Sequence, residues 1–332
     1  MNEQTVKVIE IEKLTPKIKR LRLVNVVGKK LAPFSPGSHV GVEIPWKQKT
    51  RRNAYSLCSS PYETSFYDLA VLVSKNSRGG SQYLHQIAVG TKLNISLPNN
   101  YFYLNSLARK YILIAGGIGI TPLLSMLIYL NKFNAPVELH YAAKSPKECA
   151  FYQFLLEKYS SQVTDYSALD GRSRLSPLVK FYFSEKGDRL KPTKIFQNQP
   201  LGTHLYLCAP YSLMQDCCSA AQALGYPSSA IHRELFGAVK TQKIEPFTAV
   251  LAQSEKSIKV LPDKTLLEAL ETAGIAANYS CRAGGCGACE VKVIEGEINH
   301  LDSYYTTAEK AEQNRILTCV SRAKNQQLVI DL

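Results

Sequence analysis

A multidomain chain of three successive folds is predicted from this sequence: an antiparallel β-barrel, a parallel-sheet α/β domain and a smaller third unit. Three observations carry that expectation. Residues 5–100 form six short β-branched runs bounded by Gly, Pro, Asn and Ser. From Tyr111 strand-like runs alternate with helical patterns. Beyond Phe247 a short strand-and-helix unit encloses a loop rich in Gly and Cys. The 332 residues allow two or three domains at about 100–200 residues each.

The six runs are "TVKVIEIEKL", "IKRLRLVNV", "SHVGVEIP", "NAYSLCSS", "DLAVLVSK" and "TKLNISLP". Their close spacing and turn residues suit a small antiparallel barrel over 1–107. The next stretch, "YILIAGGIGITPLLSMLIYL", has the length of a membrane span. Its central glycines suit a tight turn better than a lipid-facing helix. It reads instead as a buried strand "YILIA", a turn "GGIGI" and a helix whose first turn tolerates Pro122. "VELHYAAK", "AFYQFLLEKY", "HLYLCAP" and "SLMQDCCSAAQAL" continue the alternation, which implies a parallel sheet over 108–237. After a linker at 238–246, the third unit spans 247–332. It holds the strands "FTAVLAQ" and "SIKVLP", the helix "TLLEALETAG", the Cys-rich loop and a final strand "QQLVIDL".

Composition narrows the functional classes. The N-terminal "MNEQTVKVIEIEKL" lacks the apolar segment of a secretory signal, so a cytoplasmic location with reduced thiols is expected. Nine cysteines, an odd number, also argue against complete disulfide pairing. The net charge of +13 is confined to the front: residues 1–245 carry 31 Lys+Arg against 16 Asp+Glu, and residues 246–332 carry 9 against 11. No basic stripe interleaves with aromatics, so phosphate-bearing cofactors and a basic docking face account for the surplus better than nucleic acid.

"CRAGGCGAC" places Cys281, Cys286 and Cys289 as C-x4-C-x2-C, with Cys319 about 30 residues on in "ILTCVSRAK". That is the plant-type [2Fe–2S] spacing. A four-cysteine zinc site ordinarily shows two C-x2-C pairs, and only one is present. Gly284, Gly285 and Gly287 let the loop curl closely, with amides available to the cluster sulfurs.

The third unit resembles a plant-type ferredoxin of the β-grasp fold. The order barrel, nucleotide domain, ferredoxin is similar to the phthalate dioxygenase reductase and vanillate demethylase reductase family. "RNAYSL", "NSRGGSQYLHQ" and "GGIGITP" look most like the carnitine monooxygenase reductase branch. The resemblance implies an NADH-dependent oxidoreductase carrying FMN and [2Fe–2S]. It would pass electrons to a terminal Rieske oxygenase on a separate chain. This chain itself shows no C-x-H…C-x-x-H pattern, and its six histidines are scattered. Two alternatives stay open: a reductase serving another acceptor, such as a cytochrome or hybrid-cluster protein, and a zinc-binding module without turnover.

Residue roles follow from the same resemblance. An R-x-Y-S motif holds the flavin in the family. Here the segment is Arg52-Asn53-Ala54-Tyr55-Ser56, so Asn53 stands where Arg is usual, and Arg52 or Arg51 substitutes. Tyr55 would lie against the ring system and Ser56 would face its N5 edge. Ala70 and Val71 would line the ring, while Arg78, Gly79, Gly80 and Ser81 would cradle the phosphate. Independently of resemblance, amides around adjacent glycines form an anion nest, to which Arg78 and Ser81 add donors.

Gly116, Gly117 and Gly119 after a parallel strand allow a ligand close to the backbone, with Thr121 opening the helix. By resemblance Cys208, Ala209 and Pro210, with Met214 one turn on, place a cysteine beside the nicotinamide. Phe236 would stand at the nicotinamide–flavin junction with Glu234 nearby. His232 reads as structural, and Cys58, Cys149, Cys217 and Cys218 as core. Lys144, Arg172 and Arg174 are the groups a 2′-phosphate would need; as a solvated basic loop they leave NADH, not NADPH, as the expected cofactor.

Overall fold

The computed structural model describes residues 3–46, 49–74, 79–159, 177–236, 245–302 and 304–332. The chain divides into two compact units, Met1–Glu234 and Leu235–Leu332.

The first unit opens with β1 (Glu3–Thr15), β2 (Ile18–Asn25), β3 (His39–Trp46), β4 (Lys49–Ser56), β5 (Tyr67–Leu72) and β6 (Lys92–Ser96). All pair antiparallel in the order β4-β3-β6-β1-β2-β5, and a Leu57–Leu69 bridge joins the two ends into a barrel. Strand alternation drives the closure. Val6, Val8, Leu21, Leu23, Val40 and Val42 turn inward and are fully buried, while Arg20 and Arg22 turn outward to Glu10. Helix α1 (Gly80–Gln86) adds Leu84 to the same core.

An α/β layer follows, with β7 (Lys110–Gly116), α2 (Ile120–Lys132), β8 (Val137–Ala143), α3 (Tyr152–Tyr159) and β9 (Leu178–Phe183). Then come α4 (Pro192–Phe196), β10 (Thr203–Cys208), α5 (Tyr211–Ala223) and β11 (Ile231–Arg233). The sheet is wholly parallel, ordered β11-β10-β7-β8-β9. The 20-residue apolar stretch is therefore divided between β7, a 3-10 turn at Gly117–Gly119 and α2. No described helix is long and apolar enough to cross a membrane. Ile18, Cys58, Ala70 and Phe102 of the barrel share one core with Leu123, Met126 and Leu127 of α2. The Gly37 amide donates to Ser125 Oγ at 3.0 Å across that junction.

The second unit holds β12 (Phe247–Leu251), β13 (Lys256–Val260), α6 (Leu266–Thr272), β14 (Glu290–Glu295) and β15 (Ile298–Asn299). α7 (Thr307–Ala311), β16 (Arg315–Leu317), β17 (Arg322–Ala323) and β18 (Gln327–Ile330) complete it. Its mixed sheet runs β13-β12-β18-β14-β16, with the first and last long strands of the unit parallel to each other. Helix α6 starts at a capping box in which Thr265 and Glu268 satisfy each other's backbone amides. Leu266 and Leu270 carry its apolar face into the core beside Phe247 and Leu328. The buried Arg322 guanidinium donates to the carbonyls of Lys264, Glu245 and Leu261 at 2.5, 3.1 and 3.2 Å, tying three segments together.

Six strands of the barrel, the β7–α2 unit and α6 fall where the sequence patterns put them. β9, β11, β14 and β16 are additional. Of the expected linker at 238–246, residues 238–244 lie outside the described residues.

Candidate functional site

β4 ends on the flavin motif, and strand alternation decides which side chains cooperate. Val40, Val42 and Ile44 of β3 face the barrel interior, and their partners across the ladder are Tyr55, Asn53 and Arg51. These three therefore share one face. Burial raises the Tyr55 phenol above its usual value, opposed by a hydrogen bond with Asn53 and by the Arg51 charge. Arg52 points the other way. It pairs with Glu3 and, at 3.1 Å, with Glu43, and its side chain lies over Gly41. Of the two arginines offered as replacements for the missing motif Arg, Arg51 is the one beside Tyr55. Ser56 is buried on the opposite face, across from His39.

Gly79 and Gly80 come to the same place from α1. Gly79 caps the helix in the left-handed region (φ 99°), where Gly carries no steric penalty. A Cβ at Gly80 would overlap the Asn53 amide nitrogen and lie 3.5 Å from the Tyr55 hydroxyl. This notch admits the turn against Asn53 and Tyr55 only because it has no side chain. Ser81 Oγ accepts from the Ser74 amide at 3.2 Å, closing the loop that precedes the helix, and its O–H remains a donor. Arg78 lies outside the described residues. Ala70 and Val71 alternate: Ala70 belongs to the core shared with α2, and Val71 to the barrel interior. Their side chains thus face different layers.

The three glycines after β7 have three different surroundings. A Cβ at Gly119 would overlap the Cys208 carbonyl oxygen and sit 2.6 Å from its carbon. One at Gly116 would overlap Pro210 Cδ and lie 2.9 Å from Ala209 Cβ. Gly116 and Gly119 therefore let the β7–α2 turn nest against the β10–α5 turn. Only Gly117, at φ +55° with no atom within 4 Å of its would-be Cβ, leaves space for a ligand. Tyr141 donates to its carbonyl at 2.9 Å. Gly116 and Gly119 thus serve the nesting of the two turns, and Gly117 is the position with open space beside its Cα.

Thr121 is buried at the start of α2, its hydroxyl donating to Ile118 O at 3.1 Å, and Pro122 follows in the first turn. Cys208 ends β10; complete burial and, secondarily, the Glu234 charge push its thiol well above its usual value. It is a protonated, uncharged side chain beside the glycine turn. Pro210 precedes α5, and buried Met214 donates its amide to Pro210 O at 3.0 Å. The Glu234 amide donates to Leu207 O at 2.9 Å. Phe236, about half exposed, belongs to the second unit. His232 is structural: its Nε2 lies 2.9 Å from His204 Nδ1, and its ring stacks on Tyr206. Cys58, Cys149 and Cys217 are buried and Cys218 is half-buried. Lys144 is paired with Glu185 at 3.2 Å; Arg172 and Arg174 lie outside the described residues.

In the second unit the four thiols influence one another, Cys281 with Cys286, Cys289 with Cys319, and Cys281 with Cys289 and Cys319 by charge. Cys281 is lowered by a hydrogen bond from the Cys286 thiol, with further help from the amides of Ala283, Gly285 and Cys286. Cys289 is lowered in the same way by Cys319. Among the described residues no group of three His, Cys, Asp or Glu converges on a single metal ion. The C-x4-C-x2-C spacing with a distant fourth cysteine suits a [2Fe–2S] centre, whereas a four-cysteine zinc site ordinarily shows two C-x2-C pairs. Gly284 and Gly287 both have positive φ, and a Cβ on either would meet Val320 or Tyr304 at 2.5 Å. Arg282, also at positive φ, pairs with Glu271 of α6 and stacks over Tyr279 at 3.8 Å. That strut fastens the loop to the helix, and the sequence pattern did not disclose it.

Comparison with known proteins agrees with both units. The family model described as "Oxidoreductase FAD-binding domain" matches residues 5–103, and the "2Fe-2S iron-sulfur cluster binding domain" matches residues 250–324. The carnitine monooxygenase reductase subunit of Escherichia coli K12 is 40% identical over 329 residues, covering 98% of both chains. The heme-dependent oxidative N-demethylase beta subunit of Ectopseudomonas mendocina is 37% identical over 328 residues, again covering 98% of each. Among solved structures, a phthalate dioxygenase reductase described as passing electrons from pyridine nucleotides to [2Fe-2S] superposes with a TM-score of 0.77. It is 32% identical and covers 100% of this chain and 98% of its own. The chain is a flavin and [2Fe–2S] oxidoreductase and belongs to the family of the phthalate dioxygenase, vanillate demethylase and carnitine monooxygenase reductases.

Proposed function

We propose that the chain is the NADH-dependent, FMN-containing reductase of a two-component Rieske oxygenase, of the carnitine or another demethylating type. The observation that carries the reading is the C-x4-C-x2-C spacing on a glycine loop with Cys319 on a separate segment, on the same chain as the Tyr55–Asn53–Gly80 notch. Bound there, a flavin accepts two electrons as hydride and releases them one at a time to the iron–sulfur centre. No protein acid or base is required for that transfer, so the chain's residues position the reactants and exclude water.

Tyr55 offers an aromatic face. Asn53 and Arg51, on the same strand face, are the donors nearest the Gly79–Ser81 turn, which supports a monophosphate close to the ring and hence FMN. Gly117 leaves the backbone open where nicotinamide would approach, with Thr121 at the start of the following helix and Cys208 against Gly119. Lys144 is paired with Glu185 at 3.2 Å, which leaves it less available to a 2′-phosphate and supports NADH. Cys281 and Cys286 would hold one iron, Cys289 and Cys319 the other.

The test is to release the cofactor with acid and weigh it, then follow NADH oxidation with purified oxygenases. FMN and turnover of a Rieske partner are expected; FAD, or transfer only to a heme protein, would overturn the respective part. The similarity to a heme-dependent N-demethylase subunit favours a second reading, in which the acceptor is a heme protein.

A further inference from the structure

One buried carboxylate lies beside both cysteine segments and on neither of them. Asp302 has a fully buried carboxylate between the iron–sulfur loop and α7. Its Oδ2 accepts from Ser321 Oγ at 3.1 Å and lies 3.1 Å from His300 Nδ1. Its Oδ1 accepts from the Tyr305 amide at 3.0 Å and lies 3.6 Å from Lys310 Nζ. Lys310 also donates to the Asp302 carbonyl at 2.6 Å.

One of these contacts and a close backbone approach reach the two cysteine segments. Ser321, itself fully buried, comes two residues after Cys319. On the other side, a Cβ at Gly284 would lie 3.1 Å from Asp302 Cα, so the loop between Cys281 and Cys286 rests directly on the Asp302 backbone. Asp302 thereby spans the three-cysteine loop and the separate fourth ligand.

We propose that Asp302 is the positioning residue of the iron–sulfur site, fixing Cys319 against the loop and holding the reduction potential down by its buried negative charge. The proposal rests on the [2Fe–2S] reading above. The chemistry is electrostatic: a centre that gains one electron is disfavoured by a fixed anion beside it, and the effect is large where water is excluded. Net charge and hydrogen bonding near the cluster are recognised levers on such potentials. Lys310 is the opposing lever, since its ammonium partly offsets the carboxylate.

The experiment uses the full-length protein loaded with cluster, comparing Asp302→Asn and Lys310→Met with the parent. The readouts are midpoint potential by dye-mediated titration and iron retained after dialysis against a chelator. Asparagine keeps an acceptor for the Tyr305 amide and removes the charge, while its NH2 replaces the acceptor facing Ser321 and His300 with a donor. The one-electron reduction equilibrium should rise several-fold in Asp302→Asn, where tenfold is about 59 mV, and fall in Lys310→Met. A mere loss of packing would not produce shifts of opposite sign. Asp302→Asn should also lose iron faster. Unchanged potentials, or shifts of the same sign, overturn the proposal. Should Asp302→Asn take up no cluster, Lys310→Met decides alone: a fall supports the proposal and no fall overturns it. Parent protein that binds no cluster would instead defeat the electron-transfer reading.

Discussion

Alanine substitution along "GGIGI" should produce three different outcomes, because the three glycines meet different surroundings. At Gly119 the added methyl meets backbone, the Cys208 carbonyl, which cannot rotate away. Overpacking of this kind costs about 1–3 kcal/mol, and an immovable neighbour puts Gly119→Ala near the upper end, about 3 kcal/mol. In a unit of 234 residues, each kcal/mol lowers the melting temperature by about 2–4 °C. The expected fall is therefore about 6–12 °C. At Gly117 nothing is struck. The left-handed φ costs about 1–2 kcal/mol, partly offset by about 0.4–1 kcal/mol from the stiffer unfolded chain. Gly117→Ala should melt within a few degrees of the parent and raise the KM for NADH, because its methyl enters the one open space of the turn. Gly116→Ala meets the rigid Pro210 ring and should resemble Gly119→Ala. The assays are thermal unfolding of the flavin-loaded protein and steady-state NADH oxidation. A Gly119→Ala protein as stable as the parent would refute the close approach of the two turns.

Other perturbations separate the remaining parts of the account. Gly80→Ala displaces the Asn53 amide, so flavin affinity should fall about tenfold, the equivalent of one hydrogen bond at about 1.4 kcal/mol, with the apoprotein's melting point nearly unchanged. Fluorescence titration with FMN checks it, and an unaltered Kd would contradict the notch. Cys289→Ser or Cys319→Ser should abolish the cluster's visible absorption and leave the flavin band intact; persistence of both bands would exclude that ligand pairing. Glu185→Gln releases Lys144 from its salt bridge and should lower the KM for NADPH relative to NADH. Equal ratios in the two proteins would remove Glu185 from cofactor selection. Burial depresses the imidazole of His39 to about 4, below its unfolded value of about 6.5. The unfolded chain thus binds more protons between those values, so stability is full above about pH 6.5 and is lost as pH falls toward 4. Denaturant titrations at pH 7 and 5 should show that loss in the parent and less of it in His39→Gln.

Much of the architecture was legible because short-range patterns and tertiary demands agree. The barrel strands alternate inward Val and Leu with outward Arg and Glu, and that period is printed in the sequence. β9 and β11 escaped for different reasons. β9 reads "LVKFYF", apolar on both faces apart from Lys180 and so without alternation to mark it, and β11 is a three-residue edge strand whose ladder partner lies in β10. The cysteine spacing carried the iron–sulfur unit almost alone. Which arginine accompanies Tyr55 could have been read from alternation, since 51, 53 and 55 must share a face and 52 cannot. The glycine turn could not. Whether Gly119 faces a ligand or the Cys208 carbonyl depends on residues about 90 positions apart in the chain, and the one-dimensional pattern is the same in both cases. Asp302 was invisible for the same reason, its partners being distributed over 300–321 and the loop at 284.

The central claim is that this one polypeptide carries electrons from a nicotinamide through a flavin to its own iron–sulfur centre. An anaerobic visible spectrum before and after stoichiometric NADH tests it most directly. Bleaching of both the flavin band and the broader cluster absorption is the predicted result. Bleaching of the flavin alone, with a loaded cluster left oxidised, would contradict it.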